Sequence, residues 1–79
     1  MAYVTELSHV VSDSNGRLHK DTAAGWHRAE RNGEPVFQLD SYGSPDRQDT
    51  GTKSQTLQLD AVRAQELVDA MRTVFPGLR

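Results

Sequence analysis

The sequence predicts an α+β domain in which a four-stranded antiparallel sheet is followed by one C-terminal helix. Three observations predict it. A hairpin signal lies in the middle of the chain, residues Ser54–Leu59 alternate like a strand, and an amphipathic run extends from Asp60 to Phe75. The helix is required because the strand pattern makes one face of the sheet apolar, and an apolar face has to be covered.

Length and composition limit the remaining possibilities. The chain has 79 residues, which fits a single domain over residues 1–79 and is close to the minimum size for a self-sufficient core. It has no cysteine, which excludes disulfides and thiolate metal sites and suits a reducing compartment. No apolar run is long enough to span a bilayer, and Met1–Glu6 lacks signal-peptide features. We expect a cytoplasmic protein that does not engage a membrane and whose thin core favours self-association.

The first part of the chain contains strand formers and then turn residues. Tyr3–Val11 is rich in β-branched residues and predicts the first strand. Asp13–Gly16 is a turn signal, and Arg17–Ala24 shows no defensible period, so it is predicted to be a loop.

The central hairpin is the most specific local signal. Gly25–Arg31 and Val36–Tyr42 flank Asn32-Gly33, two residues that both accept positive φ. Pro35 lacks an amide donor and fits the beginning of a strand or an edge. A two-residue loop pairs Arg31 with Glu34, Ala29 with Val36, Arg28 with Phe37 and Trp26 with Leu39. A loop longer by one residue would exchange the two faces of the sheet.

This register divides the side chains between two faces, because directly opposed residues share a face. The fourth strand, Ser54–Leu59, divides in the same way. The apolar face carries Trp26, Phe37, Leu39, Leu57 and Leu59, with Arg28 among them. The polar face carries His27, Ala29, Arg31, Gln38, Asp40, Tyr42, Thr56 and Gln58. Trp26 is predicted to be a core residue; the alternative, a stacking platform for a base, needs the opposite register.

The predicted helix begins at Asp60, a good N-cap, and stops at Pro76-Gly77. Gly43–Lys53, between the third and fourth strands, is predicted to be a loop. The apolar stripe that would cover the sheet consists of Ala64, Leu67, Val68, Met71 and Phe75.

The sequence gives little support to catalysis. Gly51–Ser54 resembles the end of a phosphate-binding loop only faintly, since Thr52 interrupts the motif and a strand follows in place of a helix. The three histidines lack metal-ligand spacing, and no Gly-x-Ser-x-Gly elbow is present. We therefore expect no enzymatic activity, no catalytic residue, no cofactor and no metal.

A binding role finds candidates on the polar face. Tyr42 lies there beside His27 and Arg31, where an aromatic ring flanked by cations can stack on nucleobases. Arg47 and Lys53 lie in the long loop, which could close over a phosphate backbone. Each has an ordinary alternative: Tyr42 as a strand-end ring packed against the sheet, and Arg47 and Lys53 as solvated loop residues. The net charge of −2 argues against a strongly basic nucleic-acid binder.

A family resemblance covers about two thirds of the chain. The residues that carry it are Gly25-Trp26, Asn32-Gly33-Glu34-Pro35, Phe37-Gln38-Leu39, Tyr42, Asp46, Gly51, Lys53, Leu57-Gln58-Leu59 and Ala64-Gln65-Glu66-Leu67-Val68. They resemble the single-stranded-DNA-binding family of the transcriptional coactivator positive cofactor four, especially its small bacterial and phage relatives.

The resemblance implies four antiparallel strands and a helix, a homodimer with packed helices, and a groove that binds single-stranded DNA or RNA in transcription or DNA maintenance. It carries over His27, Arg31, Tyr42, Arg47 and Lys53 as contacts, with Trp26 and Arg28 as the register-slip alternative. Asp40 stands where the relatives have a basic residue, two positions before the aromatic. That carboxylate and the acidic balance also suit a second hypothesis, a regulatory module that binds a protein partner and no nucleic acid.

Overall fold

The computed structural model describes residues 1–12, 19–43, 53 and 55–79. It contains a four-stranded sheet and one C-terminal helix, which confirms the α+β class. The strands are β1 (Ala2–Val4), β2 (Ala24–Arg31), β3 (Glu34–Ser41) and β4 (Gln55–Leu59), and the helix α1 is Ala61–Val74. The turn predicted at Asp13–Gly16 and most of the loop predicted at Gly43–Lys53 lie outside the described residues.

The sheet is mixed, so the prediction of a wholly antiparallel sheet is wrong. Its strand order is β1-β4-β3-β2, with antiparallel β2–β3 and β3–β4 pairs but a parallel β1–β4 pair. The physical reason is the connection between the first two strands. β1 ends at Val4 and β2 begins at Ala24, and a connection of that length can join strands on opposite edges of a sheet.

The first strand is shorter than the predicted Tyr3–Val11 because its partner ends. Val4 pairs with Leu59, the last residue of β4, after which the chain turns into the helix. No strand residue remains for the next position of β1 to pair with. The carbonyl of Thr5 instead accepts a hydrogen bond from Nη1 of Arg63 on α1, at 2.7 Å.

The hairpin forms in the predicted register. Asn32 and Gly33 adopt φ of 53° and 81°, as a two-residue turn of this type requires. Arg31 pairs with Glu34, and the remaining pairs follow without interruption to Ala24 opposite Ser41. The division into a polar and an apolar face is therefore confirmed, and no register slip exchanges them.

The helix is capped at both ends. The side chain of Asp60 accepts a hydrogen bond from the amide of Arg63 at 2.7 Å, which confirms the predicted N-cap. The amide of Phe75 donates to the carbonyl of Met71 at 2.8 Å, just before Pro76. The helix has 14 residues, too few to cross a bilayer, and the described part of the chain contains no other helix.

The helix covers the apolar face only in part, which corrects the prediction that its apolar stripe covers that face. A cavity of about 400 Å³ between helix and sheet is lined by Phe37, Leu39, Leu59, Ala64, Leu67, Val68 and Met71. No helix residue is buried, and Trp26, predicted to be core, is 72% exposed. The reason is that the sheet is wider than the helix. α1 contacts β3 and β4, whereas Trp26 projects from β2 at the edge of the sheet.

Candidate nucleic-acid interface

The polar face is the more closely packed side of the sheet, although hydropathy predicts the reverse. The buried residues of β3 are Val36, Gln38 and Asp40, which alternate with the partly exposed Phe37 and Leu39. Because side chains alternate along a strand, all three buried residues point to the polar face. This face therefore contains its own polar core.

A hydrogen-bond ladder forms that core. Gln58 donates from Nε2 to Oε1 of Gln38 at 2.9 Å, and Gln38 donates from its own Nε2 to Oδ1 of Asp40 at 3.0 Å. The Thr56 hydroxyl donates to the same Asp40 oxygen at 2.7 Å. The pairing of β3 with β4 creates this arrangement, since it sets Gln38 opposite Gln58 and Asp40 opposite Thr56. Each of the three buried polar side chains of the ladder, Gln38, Asp40 and Thr56, thus has a partner, as burial requires.

Asp40 is held as an internal carboxylate. Its side chain is 1% exposed, and Oδ2 lies 3.4 Å from Nζ of Lys53 and 3.7 Å from Nδ1 of His27. The Thr56 hydrogen bond lowers the pKa of Asp40 most, burial opposes it, and Gln38 and Lys53 lower the pKa further. The carboxylate is therefore compensated inside the sheet and is not presented to a ligand.

A stacked cation marks the other end of the polar face. The guanidinium carbon of Arg31 lies 3.8 Å from the centre of the Tyr3 ring. The pair borders an open cleft of about 380 Å³ whose other lining residues include Asn32, Glu34 and Val36. Arg31 pairs with Glu34, so its backbone lies about 20 Å along the sheet from Asp40, six residues further on β3.

The structure divides the predicted contacts between these two clusters. His27 and Lys53 meet around Asp40, with side chains about half exposed. Arg31 lies in the cluster with Tyr3. Arg47 lies outside the described residues.

Two arrangements were predicted for Tyr42, and the structure has the one in which the ring packs against the sheet. Its hydroxyl oxygen lies 3.0 Å from where a Cβ on Gly25 would stand, so the ring lies against the backbone of β2. Gly25 permits this approach because it has no side chain. Tyr42 is partly buried and offers less of its ring to a ligand than the sequence suggests.

Trp26 and Arg28, the register-slip alternative, lie on the apolar face. The Trp26 ring stacks on Phe37 with centroids 5.9 Å apart and planes 20° from parallel. Arg28 bonds Glu30 at 2.9 Å. Trp26 and Phe37 form an exposed aromatic surface, the aromatic shelf, on the side of the sheet opposite the ladder.

Sequence reasoning missed Tyr3 and the ladder as parts of a site. Tyr3 reaches the polar face because β1 pairs in parallel with β4, which sets it beside Gln58. No local pattern signals that pairing. The ladder could have been predicted from the sequence. Gln38 and Thr56 fall on one face of the sheet at adjacent register positions, and their side chains supply complementary hydrogen-bond donors and acceptors.

Comparisons with family models, with curated proteins and with solved structures find no match for this chain. Within residues 1–12, 19–43, 53 and 55–79, no three His, Asp or Glu side chains are grouped so that they could hold a metal ion. The chemistry of the site follows from its own groups. The polar face can offer hydrogen bonds through the partly exposed Gln58 amide, and it can stack a flat ring on Arg31 or Tyr3.

Proposed function

We propose that this chain is a homodimeric, cytoplasmic single-stranded nucleic-acid-binding protein of low sequence specificity, acting in transcription or DNA maintenance by binding and not by catalysis. The stack of Arg31 on Tyr3 at the mouth of an open cleft carries the proposal. A guanidinium held flat against an aromatic ring can stack on a nucleobase while its N–H groups bond phosphate. Unpaired DNA and RNA both present those groups.

The state of Asp40 supports this function. A carboxylate in the place of a basic contact would repel a phosphate backbone if it were exposed. Here it is 1% exposed and paired with Lys53, so its charge acts within the fold. Of the ladder's side-chain amides, that of Gln58 is partly exposed, and it can bond a base with little sequence preference.

Charge balance predicts how the strand is held. On the described polar face, Arg31 and Lys53 are balanced by Glu34 and Asp40. Stacking and hydrogen bonds then supply most of the affinity. Neutralising one or two phosphates gives a plot of log K against log salt with a slope of about −0.7 to −1.4. A steeply salt-dependent complex would not fit this face.

A second copy of the chain is part of the proposal because the apolar face is left open. Trp26, on the edge strand β2, is 72% exposed, and the core is thin. The resemblance to the positive cofactor four family agrees, since it implies a dimer. Trp26 is the only tryptophan, so its fluorescence reports directly on association. We expect a blue shift in its emission as protein concentration rises.

Fluorescence anisotropy with a labelled oligothymidine tests nucleic-acid binding. We expect binding at micromolar protein in low salt, with the shallow salt slope given above. Arg31→Ala and Tyr3→Ala should each weaken it by about 1 kcal/mol or more. Arg72→Ala, on the helix and paired with Asp69, is the matched control and should bind like the parent. Absence of binding in low salt would end the proposal.

A protein-interaction module is the second candidate, and the exposed aromatic shelf favours it. Trp26 stacked on Phe37 presents an apolar surface of the kind that protein interfaces bury. Under this alternative, Trp26→Ala abolishes partner capture that survives nuclease treatment, whereas Arg31→Ala leaves it intact. If Arg31→Ala abolishes the capture and Trp26→Ala leaves it intact, the result would favour nucleic-acid binding.

A further inference from the structure

The outer edge of β2 is unpaired within the part of the chain that the structure describes. The strand order β1-β4-β3-β2 places it at the end of the sheet, and its eight residues pair with β3 without a bulge. It contains no proline. Sheet proteins usually protect such an edge with charged side chains, proline, a bulge or a covering segment. Of these devices β2 has, within the described residues, only charged side chains, and two of them, Arg28 and Glu30, bond each other at 2.9 Å. No strand within the described residues lies against this one.

The hairpin register shows which peptide groups face outward. The amide of Tyr42 donates to the carbonyl of Ala23 at 3.1 Å, so these two residues form a hydrogen-bonded pair. Hydrogen-bonded pairs recur at every second position of an antiparallel ladder. Odd-numbered residues of β2 therefore bond to β3. The even-numbered residues, whose N–H and C=O point away from the sheet, are Ala24, Trp26, Arg28 and Glu30.

The side chains of these outward residues form a distinctive row on the apolar face. Trp26 is 72% exposed although it stacks on Phe37. Arg28 and Glu30 follow it at two-residue spacing and bond each other at 2.9 Å. An aromatic ring, a cation and an anion thus stand beside a row of unpaired peptide groups.

We propose that two copies of the chain join edge to edge through β2, antiparallel, about a two-fold axis at His27. The inference rests on the homodimer of the proposed function, but it places the interface at the edge of the sheet and not between packed helices. Each copy places Trp26 opposite Arg28 of the partner subunit, with the two Trp26 rings diagonal to each other across the axis. The pairing joins two four-stranded sheets into one of eight strands, with the polar faces side by side.

Charge and length select this axis. An axis at Arg28 or at Glu30 would set like charges directly opposite each other, which is unfavourable. An axis at Ala29 would pair Arg28 with Glu30, but only five residues fit before the turn at Asn32-Gly33. Those ion pairs would be exposed and therefore weak.

The axis at His27 pairs residues 24–30 and avoids these conflicts. It buries part of the exposed Trp26 ring and adds one contact between that ring and a cation on each side of the axis, two in the dimer. The neighbouring Arg28–Glu30 bond on each strand can remain in place. An axis at Trp26 would pair five residues only. The axis at His27 therefore gives the longest ladder that has no opposed like charges.

Single cysteines test the register, because the chain has none of its own. At His27 the two copies form a non-hydrogen-bonded pair with Cα atoms about 4.5 Å apart, within disulfide range. His27→Cys should therefore form a covalent dimer under mild oxidation. Ala29→Cys, on the same face of the same strand, would sit about 13 Å from its copy and should stay uncross-linked. Cross-linking through position 29 in place of position 27 would overturn the register.

A proline tests whether the edge itself forms the interface. The amide of Arg28 points outward and makes no bond within the sheet, so Arg28→Pro should fold, as circular dichroism would verify, yet sediment as a monomer. Arg28→Ala keeps the amide and should sediment mainly as a dimer. If both variants dimerise to the same extent, or if the unmodified chain is monomeric, the interface is not this edge.

Sedimentation without nucleic acid and anisotropy with it separate two failures. If His27→Cys cross-links but the unmodified chain binds no oligonucleotide, the interface stands and nucleic-acid binding is refuted. A monomer that binds oligonucleotide refutes the interface and keeps the binding function. If both hold, Arg28→Pro should shorten the oligothymidine length at which affinity saturates by about twofold, because one polar face remains in place of two.

Discussion

The two faces of this sheet are stabilised in opposite ways. On the polar face, Gln38, Asp40 and Thr56 are buried and hydrogen-bonded to one another. On the apolar face, Trp26 and Phe37 remain partly in water. Polar side chains in register can satisfy one another across two strands, whereas apolar ones need a further layer. A 14-residue helix provides that layer over two strands of the four.

The difference assigns different tasks to the two faces. A buried donor or acceptor without a partner costs about 1–3 kcal/mol, so the ladder penalises every register but its own. Apolar burial contributes about 25 cal/mol per Å² wherever water is excluded, with little regard to register. The polar face therefore specifies the pairing of β3 with β4, and the apolar face stabilises it as far as the helix or a second copy covers it.

Leu59→Ala should have the largest effect on the free energy of unfolding. Leu59 is the buried apolar residue beneath the helix, and truncating such a residue costs about 2–5 kcal/mol. Leu57→Ala is the matched control, since Leu57 lies on the same strand and face but is 44% exposed. It should cost about 1 kcal/mol in urea unfolding. Equal losses would mean that the helix does not distinguish the two positions.

Thr56→Val should have the next largest effect and tests the polar face. Valine keeps the shape but removes the hydroxyl that donates to Asp40, which leaves a buried oxygen one bond short at a cost of about 1–3 kcal/mol. Thr73→Val removes a hydroxyl bonded to the Asp69 carbonyl on the exposed helix and should change stability by less than about 0.5 kcal/mol. If the two variants unfold alike, the ladder contributes nothing specific.

Local signals were enough to predict the frame in which these faces lie. Asn32-Gly33 determined the hairpin register and therefore the face of every residue in β2 and β3. Asp60 determined where the helix begins. Both signals act within a few residues of the chain, through backbone conformations that few residue types accept. Such features can be predicted without knowledge of the tertiary structure.

Features that depend on distant parts of the chain were not predicted. The parallel pairing of β1 depends on where residues 5–23 lead, and Tyr3 enters the site only through that pairing. The exposure of Trp26 depends on the width of the helix relative to the sheet. Hydropathy identified the face on which Trp26 lies but not how far that face is covered.

Acid should weaken the polar face selectively. The pKa of Asp40 is lowered in the folded chain from its ordinary value of 3.8, so the stability that its charge contributes is present above that value. It is lost as pH falls below about 4 and through the folded pKa. Thermal unfolding from pH 6 to pH 2 should show a shallower acid decline for Asp40→Asn than for the parent.

Thr56→Val provides a second check on the acid transition. The Thr56 hydroxyl is the largest influence that lowers the pKa of Asp40, so its removal should raise that pKa and move the acid loss to higher pH. If the acid decline of Asp40→Asn matches that of the parent, the charge on Asp40 does not stabilise the fold.

Gly25→Ala should have the smallest effect and tests how Tyr42 is packed. The new Cβ would meet the Tyr42 hydroxyl oxygen at 3.0 Å, which is too close, so the end of the ring has to shift. Alanine suits a strand better than glycine by about 0.5–1 kcal/mol, which offsets the crowding. Stability should change by less than about 0.5 kcal/mol, while the Tyr42 ring proton resonances move. Gly33→Ala, at φ of 81°, should destabilise the turn without moving those resonances. Unmoved Tyr42 resonances in Gly25→Ala would show that the ring is free for a ligand and not held against β2.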